Sequence, residues 1–287
     1  MNGSQKLLIV GLGKMGGSLL KGLISEKSPN LEISIVEPNE NHINIDFISN
    51  NIDHYLSIDK INSFDIDIVI FAIKPQIIKE VCEEILSVAK NKTFSLISIL
   101  AGTKIKTFER FFNNYPIIRT MPNLAASEGS CITALYGNSF VDNNLKLLTE
   151  EIFSKIGDHF WIKNENDMDI ITAISGSGPA YYFYLTECLS AIALEMGLNV
   201  KDIDKLTKMV AKGSSDLMLS SDKSISELRE NVTSKGGTTE AAFVVLDDSE
   251  KTFYNSLRSA IKNAVKRSKE LSCLLYTSDA ADDFTSV

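Results

Sequence analysis

Apolar positions follow two alternating rhythms along the first half of the chain. Residues 6–10 form a compact run of leucine and β-branched side chains. Met15, Leu19, Leu20 and Leu23 then recur at helical spacing. Residues 32–36 alternate. Residues 66–72, 94–100 and 117–121 are near-continuous apolar runs, the pattern of strands buried on both faces. Between two of these runs, residues 79–90 are amphipathic with a helical period. Strand, helix and strand at this rhythm predict βαβ units and a parallel sheet.

The character changes near Asn164, and beyond Asp167 the strand pattern is gone. Ser177, Gly178 and Pro179 read as a helix start, with Ser as cap and Pro in the first turn. A long apolar helix is expected over residues 180–196, with Gly197 as its stop. Further helices are predicted at 201–220, 224–232, 239–246 and 250–271. The 180–196 segment carries Tyr181, Tyr182, Phe183, Tyr184, Leu185, Leu189, Ile192 and Leu194 on more than one face. A helix that is apolar all round is buried on all sides. In a small helical domain a second subunit supplies one of those sides most easily.

Residues 273–287 stand apart. They hold Asp279, Asp282 and Asp283 and no Lys or Arg, and the stretch LLYTSDAADD resembles translated sequencing-adapter readthrough. A non-native or disordered tail is expected there.

Composition narrows the function. With 287 residues, 44 % of them hydrophobic and 23 % charged, wholesale disorder is excluded. A net charge of −8 gains nothing from a phosphate backbone or an anionic membrane, so nucleic acid and membrane are not expected as partners. No apolar run reaches the roughly 20 residues of a membrane span. Gly11 and Gly13 break up the N-terminal apolar run, which makes a poor signal peptide, and a cytoplasmic location is expected. The four cysteines include no CxxC and are expected to be reduced and mostly packed. His42, His54 and His159 lie far apart, so neither a metal site nor a Ser-His-Asp centre is expected.

Gly11-Leu12-Gly13-Lys14-Met15-Gly16 follows the first predicted strand and opens a helix. In this GxGxxG spacing the first Gly permits the tight turn, the second lets the backbone approach a pyrophosphate, and the third lets helix and strand pack closely. The helix N-terminus then offers free N–H groups to the phosphates. A purely structural glycine turn is the alternative. Glu37 ends the second strand, 21 positions after Gly16. A carboxylate there accepts hydrogen bonds from ribose hydroxyls and repels a 2′-phosphate, which gives NADH a slight preference over NADPH. The alternative for Glu37 is a solvated acid after a strand.

Further segments match one family: FAIKPQ at 71–76, ILAGTKI at 99–105, IIRTMPN at 117–123, AISGSGPAY at 173–181 and NVTSKGGTTEA at 231–241. In order and spacing they resemble the pyrroline-5-carboxylate reductases, from about residue 6 to residue 272. The resemblance implies a Rossmann-type parallel-sheet domain (1–165), then an all-α dimerisation and substrate domain (166–272). It implies reduction of the cyclic imine 1-pyrroline-5-carboxylate to L-proline by NADH or NADPH, the last step of proline biosynthesis, in a homodimer or a higher oligomer built from dimers. By the same resemblance Val10, Gly11, Leu12, Gly13, Lys14 and Met15 form the pyrophosphate turn, and Glu37 takes the ribose position. Ala72, Ile73, Lys74 and Ala101 line the cofactor. Asn231 lies between cofactor and substrate, and Glu165, Thr238 and Thr239 surround the substrate. One departure is Lys235, where the family usually has Pro before the Gly pair. Lys loosens the turn and adds a charge.

Reduction of a C=N bond needs little acid–base machinery, because the protonated imine is already electrophilic. The demands are a nicotinamide held against the imine carbon, exclusion of water, and an anion site for the substrate carboxylate. Gly236-Gly237-Thr238-Thr239 opens a predicted helix whose N–H groups suit a carboxylate. The Thr239 hydroxyl suits the ring nitrogen, which makes it the candidate catalytic residue. The alternative is that Thr238 and Thr239 simply cap the helix. Lys74 has a rival reading as a general acid toward a carbonyl oxygen, although its place before Pro75 beside the cofactor favours positioning. Ser175 and Ser177 have no base in sight and read as loop hydrogen-bonders and caps. The rival functions are another imine or hydroxyacid reductase and a non-catalytic NAD(P) sensor.

Overall fold

The computed structural model describes residues 4–25, 31–43, 52–90 and 92–282, with side chains as far as residue 272. The chain divides into two compact units, one of Met1–Gly176 with Ala264–Val287 and the other of Ser177–Asn263.

The first unit is built on one eight-stranded sheet. Its strands are β1 (Gln5–Val10), β2 (Leu31–Val36), β3 (Asp53–Tyr55), β4 (Ile68–Phe71), β5 (Ser95–Ser98), β6 (Ile117–Met121), β7 (Cys131–Gly137) and β8 (Gly157–Trp161). They lie in the order β3-β2-β1-β4-β5-β6-β7-β8. Every pair is parallel except β6 with β7. Helices α1 (Lys14–Ser25), α2 (Ile78–Ala89), α3 (Ile105–Glu109), α4 (Asn143–Ser154) and α5 (Asp167–Ile171) complete it.

The continuous apolar runs have the reason expected of them. Alternate residues of each inner strand feed separate cores. Leu8, Val10, Val69, Phe71 and Leu96 pack with Val81, Cys82 and Ile85 of α2. Leu7, Ile9, Ile68, Ile70 and Ile97 pack with Leu19, Leu20 and Leu23 of α1 and with Ile152 and Phe153 of α4. Helices on both faces are what a parallel sheet requires.

The second unit is helical: α6 (Gly178–Glu195), α7 (Ile203–Ser220), α8 (Ile225–Asn231), α9 (Thr238–Leu246) and the start of α10 (Thr252–Asp282). The second part of α10 belongs to the first unit, and its backbone stays helical to Asp282; residues 283–287 lie outside the described residues. Among the described residues no strand follows Trp161, as the sequence pattern predicts. Gly197 stops α6 at φ 82°, where only glycine is unstrained, and Leu198 N–H closes back on the Ala193 carbonyl at 3.0 Å.

One expectation about α6 needs correction. Ser177 occupies the cap position, but its side chain caps nothing. A π-turn over Thr172–Gly176 leads straight into it and leaves Ser177 in helical conformation, so its hydroxyl is not presented to the first turn. Within a single chain α6 is left largely uncovered, in keeping with the expectation that a second subunit supplies part of its burial. Only Gly178 and Ser190 are buried, while Tyr184 is 67 % and Met196, just past the helix, 83 % exposed. One unit of a few helices does not cover an all-round apolar helix. An apolar surface this extensive is the mark of an association face. Among the described residues no helix is long and apolar enough to cross a membrane.

Candidate active site

The candidate residues divide between the two units. In the first, β1 delivers the chain to the point where the strand order reverses, between β2 and β4. Ligands of open α/β sheets bind at that switch point, beyond the carboxyl ends of the strands. Gly11 N–H donates to the Val36 carbonyl at 2.8 Å, and Ala72 N–H to the Val10 carbonyl at 2.9 Å. The turn is therefore anchored to both neighbouring strands.

The three glycines have different reasons. Gly11 has φ 95°, and a Cβ there would lie 2.7 Å from the Ala72 oxygen. A Cβ on Gly16 would lie 2.3 Å from the Gly11 oxygen and 2.9 Å from Ala72 Cβ. Gly13 is exposed, and a Cβ on it would meet nothing within 4 Å. Gly11 and Gly16 are thus glycine because the protein crowds them, whereas Gly13 keeps bare backbone open to solvent just where α1 begins. The first N–H groups of a helix have no partner inside it. Bare backbone beside those donors fits a diphosphate. Val10 and Leu12 are buried beneath the turn, Met15 is half-buried and Lys14 is exposed.

Glu37 is not a solvated acid. It is 5 % exposed. One carboxylate oxygen accepts from Leu12 N–H at 2.7 Å, and the other from Asn39 N–H at 2.9 Å. His42 Nδ1 lies 3.3 Å from the oxygen that Leu12 holds. Burial pushes the carboxyl pKa up, but the Leu12 and Asn39 N–H groups and the His42 ring outweigh it and hold the group below the ordinary Glu value. Glu37 therefore ties the end of β2 to the Gly-rich turn as an anion. His54 Nε2 lies 2.9 Å from the Glu37 main-chain oxygen. Two of the chain's three histidines thus converge on one acidic residue. Their spacing gives no hint of this, because it depends on β3 pairing beside β2.

Ala72 and Ile73 are half-buried against Gly11. Lys74 is exposed and extended, with φ −76° and ψ 141°, as a residue before Pro must be, and its side chain caps nothing. Ala101 is exposed in the turn after β5. The adjoining Gly102 lies under the second part of α10, where Ser272 Oγ donates to its carbonyl. Glu165 is half-buried after β8; its Oε1 accepts from Ile105 N–H at 2.8 Å and from Arg119 Nη1 at 3.1 Å. Arg119, inside the motif IIRTMPN, is the side chain that sequence reasoning passed over. Ser175 is the loop hydrogen-bonder expected, its Oγ 3.3 Å from Asn123 Nδ2.

In the second unit, Asn231 is exposed at the end of α8. The turn before α9 closes with Gly237 N–H on the Ser234 carbonyl at 2.9 Å, and Gly236 has φ 72°. Positive φ at the third position of a turn calls for Gly, and the second position favours Pro. That second position is Lys235, so the family's usual Pro matches the local geometry. A Cβ on Gly237 would lie 2.5 Å from Ser234 Oγ. Gly237 therefore serves the turn itself, with its own N–H already taken. Glu240 accepts from Gly236 N–H at 2.7 Å. The N-cap of α9 is Gly237, and no side chain caps the helix. The capping alternative for Thr238 and Thr239 does not hold. Thr238 is exposed and Thr239 half-buried at an uncapped N-terminus.

Two family models match different parts of the chain. Residues 165–271 match the family model of pyrroline-5-carboxylate reductase dimerisation. Residues 6–102 match that of the coenzyme F420-dependent NADP oxidoreductases. The pyrroline-5-carboxylate reductase of Haemophilus influenzae is 30 % identical over 276 residues, covering 93 % of this chain and 98 % of its own. That of Synechocystis is 31 % identical over 271 residues, with 93 % and 98 % covered. Among solved structures, the enzyme of Coxiella burnetii superposes with a TM-score of 0.84 at 31 % identity, covering 94 % of this chain and 99 % of its own. That of Plasmodium falciparum, with NADP bound, gives 0.78 at 28 %, covering 93 % and 98 %. By similarity over nearly its whole length, this chain belongs to the pyrroline-5-carboxylate reductase family.

Proposed function

We propose that the protein reduces 1-pyrroline-5-carboxylate to L-proline with NADH or NADPH, as the final step of proline biosynthesis. The observation that carries the substrate reading is the uncapped start of α9, with two threonine hydroxyls at it. Residues 1–165 are read as the dinucleotide domain, and residues 166–272 as the dimerisation and substrate domain. Val10 to Met15, Glu37, Ala72, Ile73, Lys74, Ala101 and Asn231 are assigned to the coenzyme. Glu165, Asn231, Gly237, Thr238 and Thr239 are assigned to the substrate.

When bound, the reduced nicotinamide supplies the hydride that adds to the imine carbon. The protein's part is to bind and orient. The open backbone at Gly13 and the first N–H groups of α1 hold the diphosphate. The first N–H groups of α9 hold the substrate carboxylate, and Gly237 shapes the turn that presents them. The ring N–H of the protonated imine donates to Thr239 Oγ1, which fixes the face of the ring. That proton stays on nitrogen and becomes the product's amine proton, so no histidine base is needed. Lys74 is assigned a positioning role beside the coenzyme.

The anionic Glu37 favours NADH slightly over NADPH, since it welcomes ribose hydroxyls and repels a 2′-phosphate. The exposed apolar surface of α6 supports a homodimer, or a higher oligomer built from dimers. A cytoplasmic location is in keeping with this biosynthetic role.

Thr239→Ala tests the substrate site. It is expected to lower kcat/KM for the imine by roughly ten- to a hundredfold, the loss of one charge-assisted hydrogen bond, while coenzyme Kd stays unchanged. Kinetics equal to wild type would remove Thr239 from the mechanism.

A further inference from the structure

Glu37 uses both carboxylate oxygens inside the protein, on Leu12 and on Asn39. It is buried, so the group through which this corner meets solvent is its neighbour. His42 has 43 % of its side chain exposed, with Nδ1 3.3 Å from Glu37 Oε2. Its other ring nitrogen lies 3.3 Å from Asn39 Nδ2. Other titratable groups about this corner are Glu40 on the same turn, His54, which holds the Glu37 carbonyl from β3, and Tyr55, whose carbonyl accepts from Glu37 N–H. We propose that His42 is a coenzyme-selecting residue, whose charge sets how strongly this corner rejects the 2′-phosphate that distinguishes NADP from NAD. The proposal rests on the assignment of Glu37 to the ribose.

The physical argument is one of charge count. With His42 neutral, the corner carries the full negative charge of Glu37. With His42 protonated, the imidazolium cancels that charge at contact distance and offers an N–H donor at the exposed edge. Imidazole is the side chain whose ordinary titration falls between about pH 5 and 8. Glu37, held below the ordinary Glu range, stays ionised throughout that window. A proton taken up by His42 therefore makes the corner less negative by one charge. A 2′-phosphate feels that change directly, and a bare ribose far less. For a partly exposed charge the effect on affinity is up to about fivefold.

Equilibrium binding of NAD+ and NADP+, measured by calorimetry between pH 5.5 and 8.5, tests this without turnover. In the wild type the Kd ratio NADP+/NAD+ should fall about three- to fivefold from pH 8.5 to 5.5. The 2′-phosphate itself titrates near pH 6, so the control is His42→Gln, which shares that background and should lose the additional dependence. His42→Lys, permanently charged, should hold at pH 8.5 the ratio that the wild type reaches only in acid. Identical pH profiles for wild type and His42→Gln would overturn the proposal while leaving the Glu37 assignment intact. NADP+ bound no more weakly than NAD+ at pH 8.5 would overturn the Glu37 assignment, and the proposal with it.

Discussion

Replacing Gly16 by alanine is expected to reduce kcat/KM with either coenzyme by about a hundredfold or more. In an ordinary helix this change is stabilising, because Ala is favoured over Gly by roughly 1 kcal/mol. Here the new methyl would stand 2.3 Å from the Gly11 oxygen and 2.9 Å from Ala72 Cβ. The closest obstacle is backbone at the Gly-rich turn, so no rotamer relieves it. α1 must move away from the β1–β4 seam by about an ångström, and displacements of that size near a reacting centre cost about a hundredfold. Overpacking adds roughly 1–3 kcal/mol of lost stability. Coenzyme titration should show a matching rise in Kd. Gly13→Ala is the internal control: its methyl meets nothing in the protein, so it should weaken coenzyme binding without lowering the melting temperature. Unchanged coenzyme affinity in Gly16→Ala would contradict the packing derived for the turn.

Arg119→Ala is expected to be the most destabilising single substitution considered. Arg119 is 1 % exposed on β6, and its partner Glu165 also receives Ile105 N–H. Removing one member of a buried pair leaves the other charge unanswered, typically at about 3–5 kcal/mol. Glu165 keeps 19 % of its side-chain surface exposed, so the lower end, about 3 kcal/mol, applies. The denaturant midpoint should fall with the slope unchanged. The turn that begins α3 also loses the alignment of Glu165, so activity should fall in the variant even where it is folded. A change below about 1 kcal/mol would mean that the pair is solvated and merely superficial.

Much of this was legible in the sequence because one periodicity dominated. The continuous apolar runs around Leu8, Ile70, Ile97 and Ile118 could be buried only on two faces, and with the alternating run at Ile35 they predict five of the eight strands of the sheet. The Gly-rich turn was legible because its glycines sit between a strand and a helix. β3 was missed because it has three residues, and β8 because Gly-Asp-His-Phe-Trp pairs on one side only and carries polar residues. α4 and β7 lie where apolar and polar positions mix without a single period. In the site, Glu37 was legible by its position after β2, but not its burial or its two histidines. Those follow from which strands become neighbours, a non-local fact. The Arg119–Glu165 pair was hidden for the same reason, its partners lying 46 positions apart. The composition of α6 spoke for an assembly, and its exposure in a single chain agrees with that.

The most direct test is the loss of absorbance at 340 nm with 1-pyrroline-5-carboxylate, run in parallel with NADH and NADPH and beside an acyclic 2-oxo acid. Turnover of the cyclic imine with both coenzymes, faster in kcat/KM with NADH, and none of the acyclic acid, is the predicted result. Turnover of the acyclic acid alone, or none at all from folded and oligomeric protein, would contradict it.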